Sequence, residues 1–184
     1  MYDLALAIHV IAVIVLFLAI GYATMGLGRM RRAGSAGDVA VGARNTALGA
    51  LVSLAATMVL VAAAGELVRD RWSWSVGWIR ASAVGVAIAW LLGLALVVRV
   101  QALGRAVKDA GGSGLSPALR RATASPLLWA AAQVMTLLYV GVLLLMFVKP
   151  DGGAAAITLV VAALIGLAAT APAIARYRRF DAPR

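Results

Sequence analysis

The chain has no cysteine, which excludes disulfides, thiolate metal sites and haem attached through thioethers. Histidine is almost as scarce. His9 is the sole imidazole, so the chain cannot by itself give a haem two axial histidines. Acids number only seven, against 17 bases in 184 residues, and no two carboxylates stand at a spacing usable for acid–base catalysis. No nucleophile-plus-base arrangement is visible either. GlyGlySerGly at 111–114 lacks the lysine and the preceding strand of a phosphate-cradling loop. The methionines Met25, Met30, Met58, Met135 and Met146 are scattered at no ligand-like spacing.

Apolar residues are abundant. They make up 64% of the chain against 13% charged, and the mean hydropathy is +0.97, a balance no water-soluble domain of this size carries. The composition predicts an all-α, polytopic membrane protein with the lipid bilayer as its first partner. Hydrophobicity is spread over several runs joined by short links, so a single domain is expected over residues 1–184. The net charge of +10 sits at the ends of those runs, where it reads as a topology signal rather than a nucleic-acid footprint.

Five runs are long enough to cross a hydrocarbon layer of ~30 Å, at about residues 4–27, 45–68, 78–103, 126–148 and 154–175. No basic region precedes the first run and arginines follow it, which predicts a retained helix rather than a cleaved signal peptide. Residues 31–44 hold Gly34, Ser35, Gly37 and Gly42 and read as a turn-rich loop. The third run is expected to project past the bilayer to about Ala110, with Gly111, Gly112 and Gly114 ending it. Ser116 and Ser125, each before a proline, read as caps of new helices. LysProAspGlyGly at 149–153 reads as a tight turn whose glycines take positive φ, and Pro172 as a kink or fraying of only the last turn of the fifth run.

The five-run count sorts the charges. Arg29, Arg31, Arg32, Arg44, Arg99, Arg105, Lys108, Arg120, Arg121, Arg176, Arg178, Arg179 and Arg184 fall at one end with Asp38, Asp109 and Asp181. Arg69, Arg71, Arg80 and Lys149 fall at the other with Asp3, Glu66, Asp70 and Asp151, so the two ends carry +10 and zero. The positive-inside rule then places the amino terminus outside and the carboxyl terminus inside, in a bacterial inner membrane.

Small residues recur every fourth position on three runs. Gly49, Ser53, Thr57 and Gly65 lie on the second, Gly77, Ala81, Gly85, Ala89 and Gly93 on the third, and Thr158, Ala162, Gly166 and Thr170 on the fifth. Such stripes let helices approach closely, and these three are expected to make a tight bundle centre.

From the third run onward, the segments GWIR, VVRVQALGRAVKDAG, LSPALRRATASPLLWA and LLLMFVKP resemble the bacterial integral membrane proteins grouped as domain-of-unknown-function family 2269. IleHisVal at Ile8–Val10 and MetPheValLysPro at Met146–Pro150 match that family's first and fourth helices. The likeness covers about residues 1–150 and implies a small helical bundle with no established activity, the fifth run being an addition. A fainter likeness joins the first run to copper-resistance membrane proteins and membrane protoporphyrinogen oxidases, which also place a histidine early in helix one.

Three groups of polar residues could carry chemistry. His9, inside the first run, reads as a neutral imidazole bonded to a hydroxyl, carbonyl or headgroup, as a ligand to haem, pigment or metal, or as a proton or quinone group. Glu66, Arg69, Asp70, Arg71 and Arg80 flank Trp72, Trp74 and Trp78 at one interface. Glu66 with Arg80 or Arg69 reads as a half-buried pair fixing the hairpin, or, with His9 and the tryptophans, as an outward-facing pocket. Gln133, Thr136 and Tyr139 in the fourth run read as glue between helices. The central thirds of the runs hold no acid or base, and inverted repeats are not evident, which argues against a pump or proton-coupled transporter. The leading expectation is a non-catalytic membrane subunit or scaffold, an accessory part of a larger respiratory or photosynthetic complex, or a homo-oligomer. A haem- or pigment-binding redox protein using His9 and a small carrier or channel are the alternatives.

Overall fold

Among the described residues seven helices follow in chain order, and they make five helical stretches long and apolar enough to cross a membrane. The seven are α1 (Tyr2–Arg32), α2 (Ala36–Arg71), α3 (Gly77–Asp109), α4 (Pro117–Thr123), α5 (Pro126–Val148), α6 (Gly152–Ala168) and α7 (Ala171–Asp181). The computed structural model describes residues 2–110 and 115–181, without the side chains of residues 70, 71, 176 and 178–181. The expected breaker at Gly111, Gly112 and Gly114, the charge at Arg184, and the side chains of Asp70, Arg71, Arg176, Arg178, Arg179 and Asp181 therefore lie outside the description.

The fold is an up-and-down bundle. α1 and α2 pack along their length, α2 packs on α3, and α3 on α5, while α5 touches α1 only lightly. α6 covers the outer face of α3 and α5, so it lies against a four-helix body. Two clusters of buried side chains follow one another along the bundle. One, near the tryptophans, joins Leu16, Leu60, Val86, Tyr139 and Leu159, and the other, near the arginines, joins Leu27, Val39, Leu96, Val100 and Leu128.

Contacts at the two ends confirm that the spans alternate in direction. At the basic end Arg29 pairs with Asp38 at 3.1 Å, and Arg31 donates to the Pro172 carbonyl at 3.2 Å while its guanidinium lies 4.8 Å from the centre of the Trp129 ring. At the other end the Lys149 ammonium lies 5.0 Å from the centre of the Trp72 ring.

α3 is central, as its small-residue stripe suggests. Ala89 is fully buried, and a Cβ on Gly85 or Gly93 would reach Leu159 and Val142, or Leu54 and Met135, at 3.1–3.2 Å. Several tighter approaches lie between α1 and α2. A Cβ on Gly26 would lie 2.6 Å from the Thr46 nitrogen, one on Gly49 2.6 Å from the Ala19 oxygen and Ala23 nitrogen, and one on Gly42 2.8 Å from the Gly26 oxygen. The α1–α2 pair is thus the backbone-on-backbone seam, with Thr46 donating to the Gly42 carbonyl at 2.9 Å and approaching the Ala23 carbonyl at 3.2 Å. Two more close points tie in α6: a Cβ on Gly77 would lie 2.5 Å from the Gly152 Cα, and one on Gly166 2.8 Å from the Val134 Cα. Gly65, the last member of the α2 stripe, faces open space.

Several local expectations are corrected. Residues 36–44 are helical rather than a loop, because Ser35 caps α2 through the Asp38 N–H at 3.2 Å and Gly42 serves contact with α1 instead of a turn. Lys149, not a glycine, takes the positive φ of 50° after α5, and Gly152 and Gly153 open α6 behind the Asp151 cap. Ser116 caps α4 through the Leu119 N–H at 3.2 Å, whereas the Ser125 side chain makes no such bond. Near Pro172 the interruption is a break between two helices rather than a kink or fraying of the last turn alone. α6 ends at Ala168 and α7 starts at Ala171, with Pro172 in its first turn where a missing N–H costs nothing.

α2 with 36 residues and α3 with 33 run to roughly 50 Å at 1.5 Å per residue. That exceeds the hydrocarbon thickness by about 20 Å. On α3 the excess lies at the basic end, beyond Val98, where Val100 and Val107 are buried and Arg99, Arg105 and Lys108 are exposed.

Candidate functional site

The polar residues separate into an interfacial group, a central group and His9. Trp72 ends α2, its N–H donating to the Val68 carbonyl at 2.8 Å, and the turn that follows is held by Ser73 and Ser75, whose hydroxyls are 2.9 Å apart. This turn returns Trp78 to Trp72, edge to face, with ring centroids 5.5 Å apart. Lys149 from the α5–α6 turn stacks on Trp72, a cation–π contact that joins all three segments at this interface. Trp74 is 58% exposed at the turn. Of the three tryptophans expected together, Trp72 and Trp78 meet, and Lys149 is the member that sequence reasoning missed.

The carboxylate of Glu66 pairs with Arg69 at 2.8 Å, one turn along the same helix, with both side chains largely exposed. An exposed i,i+3 pair adds little stability and fixes no hairpin. Arg80 is exposed and pairs with no described acid. What fixes the hairpin instead is the packing of Trp72, Trp78 and Lys149.

Deep in the bundle Tyr139 meets Thr57 at 2.8 Å, joining α5 to α2. The Thr57 hydroxyl also donates to the Ser53 carbonyl at 2.8 Å, so its single proton is used there and the phenol is the donor between the two hydroxyls. Thr136 bonds backward to the Ala132 carbonyl at 2.7 Å, inside its own helix rather than across helices. The Gln133 side chain is half-buried and has no hydrogen bond within the described structure. Of the three expected glue residues, only Tyr139 bridges.

His9 is 9% exposed, its ring turned to the Leu60 backbone and its Nδ1 without a hydrogen-bond partner. It does not line the cleft near Glu66. One turn inward, Val13, Leu60, Val86 and Tyr139 border a void of about 20 Å³, room for one water and far too small for a porphyrin. The cleft itself, about 560 Å³, runs between the first turns of α1 and the last of α2 and is lined by Tyr2, Leu4, Ala5, Ile8, Val59, Ala62, Ala63, Glu66 and Arg69. The expected pocket of His9, Glu66, Arg80 and three tryptophans is therefore not assembled. Glu66 and Arg69 share a cleft with α1, Trp72 packs with Trp78 and Lys149, and His9 lies between helices. Among the described residues no three His, Asp or Glu side chains gather as a metal site.

No protein-family model, curated protein or solved structure matches the chain.

Proposed function

We propose that this chain is a non-catalytic subunit or scaffold of a larger bacterial inner-membrane complex, kin to the domain-of-unknown-function family it resembles, with its basic end in the cytoplasm. One observation carries the reading: five hydroxyls within the bundle are spent on hydrogen bonds inside it. Thr46, Ser53, Thr57 and Thr136 donate to helix carbonyls and Tyr139 to Thr57, in a core whose central void holds about one water. The apolar outer faces of α1 and α6, with Ile11, Leu18, Met25, Ile157 and Leu164 exposed, are free to meet lipid or other helices.

Protein extracted in mild detergent from its native membranes is expected to migrate on a native gel with other polypeptides. Migration solely as a monomer or homodimer would reject the subunit reading. The orphaned Nδ1 of His9 favours a second reading, a haem or pigment ligand completed by a partner, and the same sample decides it. A Soret or chlorophyll band that disappears in His9→Ala would replace the scaffold by a redox protein.

Orientation has its own measurement, made simple by the lack of cysteine. Gln101→Cys at the basic end is expected to resist a membrane-impermeant maleimide in intact cells, while Ser73→Cys reacts. The opposite pattern would invert the topology.

A further inference from the structure

The α1–α2 seam is closest near the arginines, where Gly26, Gly42 and Gly49 bring the two backbones together. Toward the tryptophan end larger groups separate the helices: Leu16 and Leu60 pack between them, and His9 lies buried beside the Leu60 backbone. Beyond His9 nothing refills the gap. α2 lines it with Val59, Ala62 and Ala63, two of the three no larger than a methyl group. The result is the cleft of about 560 Å³, within the roughly 300–1,000 Å³ usual for small-molecule sites. Its body is apolar, from Leu4, Ala5, Ile8, Val59, Ala62 and Ala63, and its mouth carries Glu66 and Arg69.

We propose that this cleft is a specific phospholipid site, holding one acyl chain between α1 and α2 and an ethanolamine headgroup at its mouth. Its lining residues run over two to three turns of each helix toward the end that carries the tryptophans, the depth at which a chain meets its headgroup. The charge pattern selects the head. Glu66 and Arg69 present one negative and one positive group 2.8 Å apart, and a phosphate with an ammonium on a short tether complements that pair, phosphate to guanidinium and ammonium to carboxylate. A primary ammonium donates hydrogen bonds to the carboxylate, whereas a choline quaternary ammonium has no N–H to give. The proposal needs only a membrane-embedded chain. It stands or falls independently of whether the chain is a subunit of anything.

The full chain, reconstituted in bilayer discs of equal phosphatidylethanolamine and phosphatidylcholine, is released into the gas phase and its retained lipids are weighed by native mass spectrometry. One retained phosphatidylethanolamine is expected, favoured at least fivefold over phosphatidylcholine. Ala62→Phe, which fills the cleft from an exposed position, is expected to lower retention about tenfold. Glu66→Gln is expected to keep a lipid but erase the headgroup preference. Equal retention by Ala62→Phe, no preference in the native chain, or cross-links from residue 62 to a second copy of the chain would each overturn the proposal. Unchanged melting of both variants in lipid-free detergent keeps loss of fold from being mistaken for loss of the site.

Discussion

Gly49→Ile is expected to destabilise the bundle by about 3 kcal/mol or more, while the same change at Gly21 stays within about 0.5 kcal/mol. Both glycines lie mid-helix in α1 or α2 and gain the same side chain. They differ in what the new Cβ meets. At Gly21 it meets nothing within 4 Å, whereas at Gly49 it lies 2.6 Å from the Ala19 oxygen and Ala23 nitrogen and 2.9 Å from the Ala23 Cβ. Two of those three atoms are backbone, so no rotamer change relieves the clash and the helices must part. Parting them also lengthens the approach of Thr46 to the Ala23 carbonyl, now 3.2 Å, and loosens van der Waals contact along the seam. Unfolding in mixed micelles of mild and denaturing detergent, followed by far-ultraviolet circular dichroism, reads both variants against the native chain. Equal stability of the two would mean that α1 and α2 are not in backbone contact at Gly49.

That seam also marks how far the sequence could be read. Five crossing helices, their alternation and the overhang of α3 follow from hydropathy and charge, because the bilayer imposes one length on every span and the charges collect at its surfaces. The stripe at Gly77, Gly85 and Gly93 was legible for the same reason, since fourfold spacing needs no knowledge of the partner. Gly42 was not. In sequence it sits among Gly34, Ser35 and Gly37 and carries the same signal as a turn glycine, and only the presence of Gly26 and Met30 opposite makes it a contact residue. Lys149 fails similarly, and Pro172 in part. Each lies where a helix must stop, but whether the stop is a left-handed lysine or a second helix depends on the neighbours it meets. At the candidate site, depth was readable and azimuth was not. Thr57 and Tyr139 stand at compatible depths on two runs, while hydropathy does not say that they face each other or that Thr136 turns back on its own helix. For the same reason the sequence leaves Glu66 open to Arg80 or Arg69, and only the structure selects Arg69.

The second large effect is expected at Tyr139, and its pattern distinguishes packing from chemistry. Tyr139→Ala empties a ring-sized volume from a core position that is 4% exposed, and should cost about 3–5 kcal/mol. Tyr139→Phe removes only the hydroxyl, and Thr57 keeps its bond to the Ser53 carbonyl, so the loss should be near 1 kcal/mol. Thr57→Ala is the more damaging partner, because the phenol loses its acceptor in a core whose void admits about one water. A buried hydroxyl left without a bond costs ~1–3 kcal/mol. The double variant Thr57→Ala with Tyr139→Phe leaves no orphan and should recover part of that loss, with a coupling of about 0.6–1.7 kcal/mol in the cycle. A coupling indistinguishable from zero would show that the two hydroxyls do not meet. Should instead Tyr139→Phe retain full stability yet abolish assembly with co-migrating polypeptides, the hydroxyl would belong to function rather than to the fold, and the central polar residues would have to be reread as machinery.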